Sequence, residues 1–190
     1  MDHPPQILVV AATARELATA AGWRTLLCGV GPVEAAAATA AALATERPSA
    51  ILHVGIAGAR RKAKIPAGTV VIGRESIYCD LAPRNPFSPR LVTPGAALVA
   101  ALAGIMPHSL VKTIGTSAHI GGSKECEVEA MEGFAVLRAA AIADIPAIEV
   151  RVISNEIEET DRARWHFDLA FDTITRITPQ LVAALHRCVN

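Results

Sequence analysis

Side chains that can take part in catalysis occur at the ends of three predicted strands. Glu16 follows the first apolar run, Glu132 lies at the start of an alanine-rich segment, and Arg151 and Asn155 close a later β-branched run. Ligands of parallel sheets bind at the carboxyl ends of the strands, so we expect these groups to meet there. The pattern therefore locates a candidate site for a ligand at this edge of the predicted sheet.

Each of these residues also has a structural interpretation. Glu16 could be a solvated carboxylate that the dipole of a helix favours. Arg151 could form an ion pair with Glu149 at a strand edge, and Asn155 could be a cap or turn residue. Glu132 is harder to explain in this way, because a buried carboxylate without a partner is costly. Taken singly, none of these residues identifies a reaction.

The hydrophobic pattern predicts elements that bring these groups together. Strands are predicted at residues 6–12, 25–30, 49–54, 69–72, 110–114 and 146–153, and helices at 13–20, 33–45, 94–104, 130–143 and 167–188, the last broken or kinked at Pro179. Residues 79–94 hold four prolines and predict a long surface loop. The alternation predicts an α/β fold in which one domain, residues 1–190, has a mixed, largely parallel central sheet flanked by helices.

Composition limits the partners. A chain of 190 residues with 52% hydrophobic side chains can bury a core of its own. Because 18 basic residues balance 18 acidic ones and only 4% of residues are aromatic, we expect neither nucleic acid nor a membrane surface as a partner. The apolar stretch at 33–44 contains Glu34 and is too short to span a bilayer.

Cysteine usage and the first residues indicate the compartment. The four cysteines are far apart, without a C-x-x-C pair or the spacing of a zinc site, so we expect reduced thiols and no metal. The start, Met-Asp-His-Pro-Pro, lacks the cationic flank of a signal peptide. We therefore expect a cytoplasmic protein.

Four ordered motifs carry a family resemblance. They are Gly-Val-Gly-Pro-Val-Glu-Ala-Ala at 29–36, His-Val-Gly-Ile-Ala-Gly at 53–58, Val-Glu-Ala-Met-Glu-Gly at 128–133 and Val-Arg-Val-Ile-Ser-Asn at 150–155. In this order the motifs resemble the nucleoside phosphorylase and nucleosidase superfamily. The resemblance extends from about Ile7 to the C-terminal helix.

Two further segments resemble one branch of that superfamily, the futalosine hydrolases. They are Tyr-Cys-Asp-Leu at 78–81 and Thr-Asp-Arg-Ala-Arg-Trp at 160–165, which follows Ser154 and Asn155. The resemblance implies an enzyme of menaquinone biosynthesis that hydrolyses futalosine to hypoxanthine and dehypoxanthinyl futalosine.

The resemblance also implies roles at the sugar. Breaking an N-glycosidic bond builds positive charge on the ribose, a transition state related to that of glycoside hydrolysis. Glu132 would hold the ribose hydroxyls, with Met131 packed under the sugar. Glu16 would orient and deprotonate the attacking water, and Arg151 would help to position that water.

The resemblance also implies that Gly55 and Ile56, in the glycine-rich segment, contact the substrate, and this segment bears on the identity of the nucleophile. Phosphorylases of this superfamily have a hydroxyl residue where this chain has Ile56, which offers phosphate no donor. The resemblance therefore favours water, although backbone amides such as that of Gly55 could still bind an anion, and Arg60 and Arg61 are close in sequence.

Asn155 would bind the leaving base. Adenine-specific relatives place an aspartate here, whereas an amide can donate and accept without charge, which suits a 6-oxopurine such as hypoxanthine.

The sequence does not decide which residues contact the 5′ group of the substrate. Futalosine carries a benzoate-like group at its 5′ end, so a cation is expected nearby. The candidates are Arg84, Arg90, Arg162 and Arg164, but an ordinary surface arginine is the simpler interpretation of each, so none is assigned as a site residue. Trp165 and His166 could line the 5′ pocket or pack a loop.

Three alternatives stay open. The chain could be a methylthioadenosine/S-adenosylhomocysteine nucleosidase, a phosphate-dependent phosphorylase or a nucleoside-binding homologue without catalysis. Asn155 argues against the first, and retention of Glu16, Glu132 and Arg151 argues against the last. The resemblance further implies a homodimer or larger homo-oligomer, a purine nucleoside as substrate, and no metal or organic cofactor.

Overall fold

A computed structural model describes residues 6–18, 22–82 and 88–189. The predictions made from the first five residues, for the end of the helix at 13–20 and for Arg84 concern residues outside these ranges.

The described residues form eight strands. They are β1 (Ile7–Ala11), β2 (Arg24–Leu27), β3 (Ala50–Ala59), β4 (Val70–Tyr78), β5 (Leu91–Val92), β6 (Leu110–Thr116), β7 (Val128–Ala130) and β8 (Ala147–Glu156). The predicted mixed, largely parallel sheet is confirmed. Strand β1 pairs in parallel with β2 and β3, β3 pairs in parallel with β8, and β6 pairs in parallel with β4 and β7. Antiparallel pairing joins β3 to β7, β4 to β5 and β4 to β8.

The sheet closes on itself, which the sequence analysis did not predict. β8 lies between β3 and β4, β6 joins β4 to β7, and β7 returns to the end of β3. These five strands therefore form a closed ring, filled by small and β-branched residues such as Ala57, Val71, Ile114 and Ile153. Because β8 is paired on both sides, Arg151 is not at a strand edge.

Helices cover the sheet. They are α1 (Pro32–Thr45), α2 (Ala96–Ile105), α3 (Gly133–Ile142) and α4 (Phe167–Cys188). α1 and α3 pack with one apolar face of β1 and β3, whereas α2 and α4 pack on the other. No helix in the described ranges combines the length and apolarity needed to cross a bilayer.

Three predicted helices differ from the structure. Of the predicted helix at 13–20, the structure describes residues 13–18, and among these only Ala14–Glu16 is helical, as a single 3-10 turn. The Glu16 side chain folds back to bond Thr13, and Leu17 is extended. The helix predicted at 130–143 begins only at Gly133, since the preceding residues pair as β7. α4 runs through Pro179 without a break, because Ile174, Ile177 and Leu181 anchor its apolar side in the core.

Several strands extend beyond their predicted ends. β3 continues through Gly55 and Gly58, and β8 continues through Ser154 and Asn155. Glycines and polar residues are poor strand formers by propensity, so the local pattern stops early. Pairing within the closed ring holds these residues extended.

Candidate active site

One cavity of about 390 Å³ brings most of the predicted site residues together. It lies at the carboxyl ends of β1, β3 and β8, as the parallel topology predicts. Its lining includes the five predicted residues Glu16, Ile56, Met131, Glu132 and Asn155. The two carboxylates, which are 116 residues apart in the chain, thus face one space.

Glu16 is held rigidly at the end of β1. One of its carboxylate oxygens accepts hydrogen bonds from the Thr13 backbone N–H at 2.8 Å and the Thr13 hydroxyl at 2.9 Å. The other accepts from the Ile56 backbone N–H at 3.2 Å. Its side chain is buried, with 4% of the residue exposed, yet it lines the cavity. A carboxylate fixed in this way can present a lone pair to a bound water.

Glu132 is anchored by the glycine-rich turn between β2 and α1. Its Oε1 accepts a hydrogen bond from the Gly31 N–H at 3.1 Å, and its Oε2 lies 3.5 Å from Arg151 Nη1. Gly31 has a φ of 93°, a conformation that favours glycine. The first glycine motif therefore serves to place the carboxylate that follows β7.

Arg151 lies behind the cavity wall and is fully buried. Its Nε is 3.1 Å from Glu149 Oε2, and Nη2 contacts Nε2 of His53. His53 Nδ1 faces the Val10 carbonyl, which can only accept, so Nδ1 carries the proton and Nε2 accepts from Arg151. The sequence analysis expected Arg151 beside the attacking water. In the structure Arg151 does not line the cavity, and its guanidinium lies against the carboxylate of Glu132.

Burial and charge act against each other in this cluster. Burial raises the pKa of Glu132, and Arg151 and the Gly31 N–H oppose the rise only partly. Burial likewise raises the pKa of Glu149 against the opposing effect of Arg151. Burial opposes the charge of Arg151, but the carboxylates of Glu149, Glu132 and Glu16 outweigh it and raise the Arg151 pKa. Burial and Arg151 lower the pKa of His53, so its ring is neutral.

Gly55 supports this cluster and does not line the cavity, although it was predicted to contact substrate. A Cβ atom at this position would lie 2.3 Å from Arg151 Nη1 and 2.8 Å from Glu16 Oε1. Real Cβ atoms do not approach so closely. Only glycine at this point of β3 leaves room for the guanidinium and the carboxylate.

A β-bulge places Asn155. The pairing of β3 with β8 shifts between Ala57 and Gly58, so that Ser154 is left over and both Ser154 and Asn155 line the cavity. Asn155 Nδ2 donates to the Glu156 carbonyl at 2.9 Å, which fixes the orientation of the amide. Its Oδ1 accepts from the Ser154 hydroxyl at 2.7 Å. One N–H and one lone pair remain for a ligand.

Glu129 also lines the cavity but supports a loop. Its carboxylate accepts from the Gly121 N–H at 2.6 Å and from the Ser123 N–H and hydroxyl at 2.7 and 2.6 Å. Glu129 belongs to the motif at 128–133, and the sequence analysis assigned it no role. The strand β7, which orients it, is too short to be recognised from periodicity.

The far wall of the cavity is aromatic. Trp165, Phe167 and Phe171 line it, and Arg162 lies beside them. The two phenylalanines were missed as site residues, because they sit at helical spacing in α4 and are indistinguishable from core positions by pattern.

The other arginines are engaged elsewhere. Arg90 bonds Glu125 and the Leu81 carbonyl, and Arg164 pairs with Glu159 and Asp161. Arg60 and Arg61, the candidate anion binders, pair with Glu158 and Glu156 and do not line the cavity. Within the described residues, no group of three or more His, Cys, Asp or Glu side chains is arranged to hold a metal.

Two comparisons with known proteins bear on the family of this chain. The profile of the phosphorylase superfamily matches residues 24–124. A futalosine hydrolase of Streptomyces coelicolor is 33% identical over 86% of this chain and 80% of its own length. These two findings confirm the superfamily predicted from the four motifs.

Solved structures confirm the fold. A 5′-methylthioadenosine/S-adenosylhomocysteine nucleosidase from Colwellia psychrerythraea, in complex with adenine, superposes with a TM-score of 0.81 at 18% identity, covering 98% of this chain and 96% of that one. An S-adenosylhomocysteine nucleosidase from Streptococcus pyogenes, in complex with 5-methylthiotubericidin, has a TM-score of 0.80 at 19% identity, covering 97% of each chain.

Proposed function

Because the chain belongs to the phosphorylase superfamily, we propose that it hydrolyses the N-glycosidic bond of a 5′-substituted purine nucleoside. The relatives named above are nucleosidases, so the enzyme class is that of an N-glycosyl hydrolase. The substrate proposed is futalosine, which would yield hypoxanthine and dehypoxanthinyl futalosine, a step of menaquinone biosynthesis. The 33% identity to a futalosine hydrolase and the amide at Asn155 support this choice.

One observation carries the proposal: Glu16 and Glu132 face the same cavity, each fixed by hydrogen bonds from the backbone. A hydrolase must both activate water and stabilise a cationic sugar, and two preorganised carboxylates can divide these tasks.

Glu132 is the proposed sugar-binding carboxylate. The ionised side chain accepts hydrogen bonds from the ribose hydroxyls, and its charge favours the positive ring of the transition state. Met131 supplies an adaptable apolar surface beside it. Arg151 acts through Glu132, since it lies behind that carboxylate at 3.5 Å, and is therefore a positioning residue.

Glu16 is the proposed general base. Three donors hold its carboxylate in place, and a water bound to it could attack the anomeric carbon as the base departs. The proton passes from the water to Glu16, and the electrons of the broken C–N bond pass to the purine.

Asn155 is the proposed ligand of the departing base. With Nδ2 oriented by the Glu156 carbonyl and Oδ1 by Ser154, the amide keeps one donor and one acceptor for the purine. An uncharged group of this kind suits hypoxanthine, which presents an acceptor at the 6 position and a donor at its neighbour.

The lining favours water over phosphate as nucleophile. Ile56 offers no side-chain donor, and Glu16, Glu129 and Glu132 would repel a phosphate dianion. Arg60 and Arg61 could have balanced the charge of a phosphate, but they pair with Glu158 and Glu156.

We also propose that the chain forms a homodimer through a second groove, of about 480 Å³, between α1 and α3. The groove is lined mainly by alanine and other apolar residues, and Val33 and Ile142 beside it are 76% and 71% exposed. Self-association through one apolar patch would cover these side chains in both copies.

A substrate panel tests the function. Purified protein is incubated with futalosine, inosine or methylthioadenosine, with and without phosphate, and products are separated by chromatography. We expect hypoxanthine from futalosine at the same rate in both buffers. Turnover of methylthioadenosine alone would identify the adenine-specific alternative, dependence on phosphate the phosphorylase, and no base release from any nucleoside the non-catalytic homologue.

Matched variants test the residues. Glu16→Gln and Glu132→Gln should each lower kcat/KM by about 10²–10⁴, since each removes one charged group from the site. Glu127→Gln is the control, because Glu127 is a half-exposed carboxylate near β7 that pairs with Lys112 at the surface. An unchanged rate in either site variant would remove that residue from the proposal.

A further inference from the structure

We propose that Glu149 is a positioning residue of the reaction, which offsets the charge of Arg151 from behind the cavity wall so that Arg151 can hold Glu132 without cancelling its negative charge. The inference rests on the proposed function, because it explains how the carboxylate proposed to hold the sugar keeps its effect on a cationic ring beside a buried arginine. Glu149 does not line the cavity, so its effect on the reaction passes through Arg151.

The guanidinium of Arg151 meets a different group at each of its three nitrogens. Its Nε lies 3.1 Å from Glu149 Oε2, its Nη2 contacts the neutral ring of His53, and its Nη1 lies 3.5 Å from Glu132 Oε2. Arg151 and Glu149 are both fully buried. A buried pair is screened much less than a pair at the surface, so the charge of Glu149 acts strongly on Arg151.

The space that Glu149 occupies depends on two glycines from separate elements. A Cβ atom at Gly73 of β4 would lie 2.7 Å from Glu149 Cγ, and one at Gly133, the first residue of α3, would lie 2.1 Å from Glu149 Oε2. Both distances are too short for a real Cβ atom, so a side chain at either position would displace the carboxylate. Gly133 follows Glu132 directly in the motif at 128–133, and its contact with Glu149 gives a physical reason for a glycine there.

Without a balancing charge, Arg151 would act against the proposed chemistry. The ribose becomes positive in the transition state, and a cation 3.5 Å behind Glu132 weakens the attraction between that carboxylate and the ring. Glu149 supplies a negative charge at the Nε end of the guanidinium, whereas Nη1 faces Glu132. Paired in this way, Arg151 can orient Glu132 with little net positive charge of its own.

The ionisation of Glu132 reflects the same balance. The other titratable side chains around Arg151 and Glu132 are Glu16, Cys28, His53 and Glu149. Arg151 lowers the pKa of Glu132, whereas burial and the two neighbouring carboxylates raise it. Burial raises the pKa of the Cys28 thiol, and burial and Arg151 keep His53 neutral, so neither adds a charge. Removing the charge of Glu149 should therefore lower the pKa of Glu132.

Two variants test this role of Glu149. Glu149→Gln keeps the size of the side chain and removes its charge, whereas Gly73→Ala keeps the charge and displaces the side chain through a change outside the cavity. Glu127→Gln, which changes a carboxylate paired with Lys112 at the surface, is the control. The ionisation of Glu132 is followed by ¹³C NMR of glutamate-labelled protein, with its signal assigned by its absence in Glu132→Gln protein. In parallel, kcat and KM are measured with the nucleoside that the parent protein hydrolyses fastest.

We expect Glu132 to titrate at lower pH in Glu149→Gln protein, because Arg151 then acts on it without a competing carboxylate. At a pH where Glu132 is ionised in both proteins, kcat should fall about 10-fold while KM stays within about twofold, because the unbalanced arginine opposes a charge that develops only in the transition state. Gly73→Ala should change both quantities in the same direction and less. Glu127→Gln should change neither.

An unchanged or raised midpoint of Glu132 in Glu149→Gln protein, or an unchanged kcat, would overturn the inference. A lower kcat with an unmoved midpoint would also overturn it, because a loss of packing alone produces that result. If circular dichroism shows that Glu149→Gln protein is unfolded, the same outcomes are read from Gly73→Ala protein.

The parent protein tests the proposed function separately. Absence of base release from every nucleoside of the substrate panel would refute the hydrolase. The NMR titration does not depend on turnover, so it would still decide whether Glu149 balances the charge that Arg151 places on Glu132.

Discussion

At the scale of single residues, the site depends on one buried arginine shared among carboxylates. Arg151 lies 3.1 Å from Glu149 and 3.5 Å from Glu132, and its second nitrogen contacts a neutral His53. One positive charge does not offset the burial of both glutamates, so the pKa of each is raised. Glu132, the glutamate proposed to bind the sugar, is therefore easier to protonate than an ordinary one.

This distribution of charge predicts the acid limb of the pH profile. Glu132 must be ionised to favour the cationic ribose, so activity is present above its pKa and is lost as the pH falls through it. Because that pKa is raised, the midpoint of kcat/KM should lie above 4.5, the ordinary value for glutamate. Stopped assays across acid pH measure it, and the midpoint should move in Glu132→Gln, whose residual rate no longer depends on this carboxylate. A midpoint at or below 4.5 would contradict the assignment.

Gly55 gives a second prediction at this scale. In Gly55→Ala, the new methyl group would displace the Arg151 guanidinium and the Glu16 carboxylate, so kcat/KM should fall by about 10²-fold. The control is Gly104→Ala in α2, where a Cβ meets nothing within 4 Å. That change should leave the rate intact and raise the free energy of unfolding by roughly 0.5–1 kcal/mol. Equal rates in the two variants would show that Gly55 has no spacing role.

At the scale of elements, the strand ends and turns matter more than the helices. The bulge between β3 and β8 turns Ser154 and Asn155 into the cavity, and the turn before α1 supplies the N–H that holds Glu132. Both features are short and irregular.

Helix α4 offers a prediction on stability. Pro179 lies inside the helix and is exposed, so its ring contributes little to the core while it removes one helical N–H donor. Pro179→Ala should raise the free energy of unfolding by about 1 kcal/mol, the gain being reduced by the greater freedom of the unfolded chain. Urea denaturation measures it. Gln180→Ala, at the next exposed helical position, should change stability by only a few tenths of a kcal/mol. A loss of stability in Pro179→Ala would contradict this reading of the helix.

The sequence predicted where helices and strands lie better than where one element ends and the next begins. Helix-favouring residues located α1, the local pattern located α2, and the apolar run at 6–12 covers all of β1. The local pattern extended the alanine-rich helix back to residue 130, since nothing local distinguishes β7 from the first turn of a helix. The pairing of β7 with β3 and β6 decides that segment.

The same limit applies to the site. Glu16, Glu132 and Asn155 were located by motif, and the structure places them on one cavity. The buried position of Arg151 and the spacing role of Gly55 could not be predicted, because both depend on contacts between β3 and β8 that no local pattern encodes. The aromatic wall of the cavity could not be predicted either, because Phe167 and Phe171 follow the same helical spacing as the core residues of α4.

At the scale of the whole molecule, an apolar surface is exposed among the described residues. The groove between α1 and α3 lies on the helical layer opposite α2 and α4, and Val33 and Ile142 beside it are largely exposed. We expect sedimentation velocity at micromolar concentration to give a dimer, and Val33→Glu to give a monomer, because burying the new charge is costly. Val111→Glu, at an exposed apolar residue of β6 outside the groove, is the control and should remain dimeric. A monomeric parent protein would refute the proposed interface.

The proposed hydrolysis breaks the N-glycosidic bond with a water that Glu16 activates while Glu132 holds the sugar. Its most direct test is turnover of futalosine in water enriched in ¹⁸O, with phosphate present, followed by mass spectrometry of the sugar product. We predict one ¹⁸O atom at the anomeric carbon of the sugar, and almost no product from Glu16→Gln protein in the same time. A sugar 1-phosphate without the label would contradict the account.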